Sequence, residues 1–235
     1  MSELVGVIGG VGPQATVCFL DKVVRLTRAS RDQEHVDLVV LQHSTIPDRT
    51  AFILGESDED PGPVMAEDAR RLRSLGVAFV VVPCNTAHHF TQQVVEAAGV
   101  PVLSIVEEAV AEIAQRGSVR RVGVLATSGT LAAGVYQHAV EAAGLEYLVP
   151  DEADQALVMS IIYDQVKAGR PADVEALRGV VDRLVARGAD VALLGCTELS
   201  VVADEADLLA DERNVDSLDV LARRTVVRAG HELRD

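Results

Sequence analysis

The sequence predicts an α/β protein of two similar halves, each a mostly parallel sheet flanked by helices. Three observations predict this. Short apolar runs alternate with helix-like runs, the βαβα order of a parallel sheet covered on both faces. Residues 121–127 (RVGVLAT) repeat residues 4–10 (LVGVIGG). Residues 191–196 (VALLGC) repeat residues 79–84 (FVVVPC), at nearly the same distance from their own glycine-containing strand. Self-similarity of this kind is the mark of an internal duplication.

The elements follow in order. Residues 4–8 (LVGVI) form a strand and 15–28 a helix. Residues 36–41 form the next strand and 64–75 the next helix. Residues 79–82 are apolar without interruption, as befits a strand buried on both faces. A helix over 87–98, a short strand over 102–105 and a helix over 106–115 complete the first half. The division falls near Arg116-Gly117-Ser118. It gives one domain over 1–116 carrying Cys84 and a second over 117–217 carrying Cys196. A tail over 218–235 contains a helix, over 218–233, expected to pack back on the first domain.

The 235 residues are 49% apolar, enough for one large core or two small ones. A formal charge of −15 and the lack of a basic stripe exclude a nucleic-acid partner. No apolar run reaches the ~18 residues of a membrane span, and no signal peptide is visible, so a cytoplasmic protein is expected. Three cysteines do not make a disulfide framework. Among the 21 basic residues only Lys22 and Lys167 are lysines, which leaves two candidates for any lysine chemistry.

Cys84 and Cys196 each follow a strand and precede a helix-like segment. Ligands of open α/β sheets bind beyond the carboxyl ends of strands, so a two-fold arrangement makes these thiols face each other across a cleft. Two opposed thiols suit proton transfer at one carbon from both sides. A thiolate removes the proton, the opposing thiol returns one, and the roles exchange in the reverse direction. A helix start favours the thiolate, and a free thiol's pKa of ~8.5 needs only a modest shift. Other readings are two small buried apolar residues, or a metal site using Cys84 and His88, four apart on one helical face, with Glu198 following Cys196. No further Cys or His stands at ligand spacing near Cys196. His88 and His89 read as helix-surface residues. Cys18 reads as a packing residue of the first helix and is assigned no role.

Residues 10–15 (GVGPQA) fit the dinucleotide pattern G-x-G-x-x-A after a strand. The next strand ends in Leu41-Gln42-His43, without the acid that holds a ribose, and Pro13 removes an amide from the loop. A small anion such as a carboxylate, or plain turn geometry, accounts for the glycines equally well.

The chain resembles the cofactor-independent aspartate/glutamate racemase superfamily, and within it the aspartate racemases most closely. The resemblance is carried in order by IGGVGPQAT (8–16), RDQEH (31–35), IPDRTAFILG (46–55), PCNTAH (83–88), GVLATSGT (123–130), VKAG (166–169) and GCTE (195–198). It implies that a pseudo-two-fold axis relates the two domains, with the active site between them, and that the acid/base pair Cys84 and Cys196 interconverts L- and D-aspartate, in a homodimer, with no PLP and no metal. It further implies that Asn85, Thr86 and Thr197 hold the substrate's α-carboxylate and amino group. Arg49 and Lys167 would meet its carboxylates, and Thr127 would line the same cleft. Such cations make physical sense in an acidic protein, because a dicarboxylate needs a local positive site. Val11 departs from the methionine of many relatives, and a shorter side chain there enlarges the pocket. Glutamate or a modified acidic amino acid is the alternative substrate. A non-catalytic dicarboxylate-binding protein of the same fold is the alternative class.

Overall fold

The computed structural model describes residues 2–234. Eight strands form two four-stranded sheets. The first half contributes β1 (Val5–Gly9), β2 (Leu38–Gln42), β3 (Phe79–Val81) and β4 (Val102–Leu103). The second contributes β5 (Arg121–Leu125), β6 (Glu146–Leu148), β7 (Val191–Leu194) and β8 (Asn214–Asp216). The strand orders are β2-β1-β3-β4 and β6-β5-β7-β8, with every neighbouring pair parallel. Gly6 of β1 stands opposite Val80 of β3, and Gly123 of β5 opposite Ala192 of β7. The repeated motifs therefore occupy matching places in two sheets of one topology.

Alternation along the strands divides the apolar interior. Val5 and Val7 of β1 join Val122 and Val124 of β5 in one shared core, with the helices Ile105–Gln115 and Ser217–Arg228. Ile8 and Val80 face the other way, onto Met65 and Leu72 of the helix Pro61–Ser74. Leu125 and Leu194 do the same in the second half, onto Val180 and Leu184 of the helix Val174–Ala186. Because both sheet faces are covered, the central strands read as continuous apolar runs.

Several boundaries differ from expectation. The first helix is Pro13–Leu26, with Pro13 in its first turn, where a missing N–H costs nothing. The helix expected over 64–75 begins at Pro61, because the Asp60 side chain accepts from Gly62 N and caps it. The helix expected over 87–98 is split into a 3-10 segment, Thr86–Phe90, and an α-helix, Thr91–Ala98. The tail helix is Ser217–Arg228 and stops before Gly230, whose φ of +88° leaves the helical path. It packs on both Pro13–Leu26 and Ile105–Gln115. The chain after it runs back to an antiparallel bridge between Leu233 and Thr27. We propose residues 1–116 and 117–217 as the two domains, joined at the turn around Gly117, with the tail helix docked on the first.

The two halves come close where Gly129 meets Thr50. A Cβ on Gly129 would lie 2.8 Å from Thr50 Cα, so only glycine permits this approach. Among the described residues no helix is long and apolar enough to cross a membrane.

Candidate active site

A tight cleft lies beyond the carboxyl ends of the central strands. Cys84, three residues past β3, and Cys196, two past β7, both line it. Every other site residue expected from the sequence lines it too: Arg49, Asn85, Thr86, Thr127, Lys167 and Thr197. Val11 is there as well, at the position where it departs from the common motif. A larger apolar groove, lined by Val106, Val110, Val135 and His138, holds neither thiol nor any arginine or lysine.

The two thiols differ in setting. Cys196 occupies the N-cap position of the helix Thr197–Glu205, but its Sγ donates to Glu198 Oε2 at 3.0 Å. Burial first, and the Glu198 charge second, push this thiol well above the ordinary cysteine range. The expectation that a helix start eases ionisation thus fails for Cys196, because desolvation and a neighbouring carboxylate outweigh the helix end. Cys84, unlike Cys196, precedes only a five-residue 3-10 segment, so no α-helix starts directly behind it. Its neighbour is the Arg49 guanidinium.

Each half contributes one cation. Arg49 is the first residue of the helix Arg49–Ile53, positioned by Asp48, whose carboxylate caps Ala51 N at 2.8 Å. Burial opposes the charge of Arg49, yet Cys84 and Asp48 hold it on and move its pKa up. Its Nη1 donates to the Pro47 and Ile46 carbonyls, at 3.0 and 3.4 Å, while its buried Nε meets no acceptor. Lys167 closes a π-helix, Ser160–Val166, its own N–H reaching back to Ile162 O. Such turns are rare and cluster at functional sites. Lys167 Nζ donates to Glu198 Oε1 at 2.7 Å and lies 5.3 Å from the Tyr163 ring centroid. Burial disfavours its charge, but Glu198 and then Cys196 outweigh that and raise its pKa.

The rest of the wall is polar and cross-linked between halves. Thr86 Oγ1 lies 2.8 Å from Thr130 Oγ1 and 3.2 Å from Thr127 Oγ1, and Thr50 Oγ1 donates to Thr127 at 3.1 Å. Asn85 Oδ1 accepts from the Tyr136 hydroxyl, and its buried Nδ2 finds no acceptor. His88 is half-buried, on the wall of the apolar groove, rather than freely exposed. Its Nδ1 donates to Cys84 O at 2.9 Å, and its Nε2 accepts from Ile105 N at 3.3 Å. Burial lowers its pKa to about 4, so the ring is neutral and bolts the Cys84 turn to the start of the helix Ile105–Gln115.

Other candidates fall away from the site. Gly10 N donates to Thr16 Oγ1 at 3.0 Å, so the glycine loop closes on itself and lacks a free phosphate nest. Lys22 is buried against Asp204, Asp219 and Asp216 at 3.0 to 3.8 Å, where it serves packing. Cys18 sits half-buried between cores, with burial pushing its thiol up to about 12. Among the described residues no three His, Cys, Asp or Glu side chains converge as metal ligands. Sequence reasoning assigned no acid/base or positioning role to Glu198, Tyr163, Tyr136 or Asp48, and missed the structural part of His88. GCTE did contain Glu198, and its place two residues after a thiol was the available signal.

The model of the Asp/Glu/Hydantoin racemase family matches residues 8–225. The chain belongs to this family. It is 29% identical over 229 residues to the broad specificity amino-acid racemase RacX of Bacillus subtilis (strain 168), covering 95% of this chain and 96% of that one. Its fold matches that of Picrophilus torridus aspartate racemase with a TM-score of 0.83 at 28% identity, over 99% and 96% of the two chains. Glutamate racemase from Francisella tularensis subsp. tularensis SCHU S4, solved with D-glutamate, shares the fold with a TM-score of 0.67 at 18% identity, over 97% and 80%.

Proposed function

We propose that this racemase interconverts L- and D-aspartate by two-base proton transfer between Cys84 and Cys196, without a cofactor. The observation that carries the proposal is one cleft receiving a thiol from each half. One thiolate takes the Cα proton, and the opposing thiol delivers a proton to the other face of the planar carbanion. Arg49 offers a buried guanidinium beside Cys84, and Asn85 Nδ2 and Arg49 Nε are donors without protein partners. These donors suit the substrate carboxylate and the carbanion charge delocalised into it. Thr86, Thr127 and Thr197 supply hydroxyls around the amino group, and Lys167 meets the second carboxylate.

A second reading keeps the chemistry and widens the substrate range. Glu198 and Asp48 stand in the same wall as Lys167 and Arg49, so the cleft carries little net positive charge for a dicarboxylate. The full-length similarity to RacX favours the same reading. The test is heavy water. Purified protein without added cofactor should place deuterium at Cα of both aspartate enantiomers and produce the mirror form. The same assay over glutamate and neutral amino acids ranks the substrates. Tight binding of aspartate with no exchange for any amino acid would leave only a binding protein.

A further inference from the structure

We propose that Glu198 carries the Cys196 proton to and from solvent. The proposal rests on the two-thiol reading of the cleft. Each turnover leaves the thiols in exchanged protonation states, so an enzyme working in one direction must reset them before the next substrate. Cys196 must regain the proton it gave to Cα.

Four residues line both the cleft and an adjoining vestibule walled by Gly10, Gly12, Pro13 and Ser44: Asp48, Arg49, Lys167 and Glu198. Only one of them is fit to relay. Arg49 and Lys167 are cations held charged by their neighbours. Asp48 is engaged by Ala51 N and the Tyr163 hydroxyl. Glu198 touches the thiol through Oε2 and turns Oε1 to Lys167, whose side chain is 25% exposed. One carboxylate therefore spans from sulfur to the solvent side. Gly12 keeps that side clear, for a Cβ on it would lie 3.0 Å from Glu198 Oε1.

The step balances simply. The hydrogen bond holds the proton on Cys196 in the resting enzyme, with Glu198 ionised against Lys167. After Cys196 Sγ–H has protonated Cα, a vestibule hydronium protonates Glu198, which passes that proton to the Cys196 thiolate and is again a carboxylate. In the opposite direction the Cys196 proton leaves through Glu198 to water.

The experiment is steady-state racemisation by Glu198→Gln, which keeps size but cannot relay. Resetting of the free enzyme limits kcat but does not enter kcat/KM. The variant should therefore lose about 100-fold in kcat while kcat/KM stays within about threefold, so KM falls with kcat. Formate or imidazole at constant pH and ionic strength should restore kcat in proportion to its concentration. Glu198→Asp, which keeps a carboxylate, should retain kcat within about tenfold. If kcat and kcat/KM fall together and added buffer restores nothing, Glu198 only shapes the binding site and the proposal is overturned. A wild-type protein with no racemisation in the same assay would defeat the two-thiol reading itself, a separate result.

Discussion

The Tyr136 hydroxyl, in the second half, donates a 2.5 Å hydrogen bond to Asn85 Oδ1, in the first half and next to Cys84. Both partners are buried, and Tyr136 is among the largest fully enclosed side chains. The bond fixes the Asn85 amide with its oxygen toward Tyr136, leaving Nδ2 as the unpaired donor of the cleft wall. Tyr136→Phe should keep the fold and cost about tenfold in kcat/KM, the order of one buried hydrogen bond. Equal kcat/KM for wild type and variant, with matched circular dichroism, would refute the positioning role of Tyr136.

The three cysteines should separate cleanly. Cys84→Ser and Cys196→Ser should each lose about 10²-fold to 10⁴-fold in racemisation, since a hydroxyl is a far poorer proton carrier at neutral pH. Cys18→Ser should stay active, because Cys18 lies outside the cleft. Retained activity in either cleft variant, or loss of activity in Cys18→Ser alone, contradicts the assignment.

Arg49 should discriminate by charge. Arg49→Ala removes the guanidinium beside Cys84, and Arg49→Lys replaces its planar fork with a point charge. If Arg49 meets the α-carboxylate, kcat/KM falls about equally for acidic and neutral amino acids, by about 10²-fold. If it meets the side-chain carboxylate, the fall is confined to aspartate and glutamate. No change for any substrate removes it from the site.

His88 makes folding stability depend on pH. Its folded pKa is about 4, below the ordinary 6.5, because burial disfavours the imidazolium. A depressed base leaves stability full above pH 6.5 and draws it down as pH falls toward 4, by at most about 3 kcal/mol. Denaturant midpoints measured across this window should fall with pH in wild type. In His88→Asn the fall should be smaller. An identical pH slope in the two proteins would show that His88 does not titrate against folding.

Much of this molecule was legible before any coordinates. The apolar runs and the paired VGV and strand-to-cysteine motifs are local patterns, and burial on both sheet faces imposes them on any parallel sheet. Those patterns placed Cys84 and Cys196 at matching strand ends, and the family resemblance singled out Arg49, Asn85, Thr86, Thr127, Lys167 and Thr197. Element ends were less legible. Asp60 and Pro61 start a helix earlier than its apolar periodicity suggests, and Gly230 stops the last helix short of Leu233.

Only the tertiary structure decided how these groups meet. Tyr136 reaches Asn85 across 51 residues of sequence, and Lys167 reaches Glu198 across 31. The π-helix that delivers Lys167 and Tyr163 to the wall leaves no periodic trace, because its extra residue per turn breaks the helical repeat. The setting of Cys196 follows from burial and from a carboxylate turned onto the thiol, not from the helix start that the sequence displays. Local patterns specify what each segment is. Contacts between distant segments, set by sheet order and close packing, decide what its side chains do.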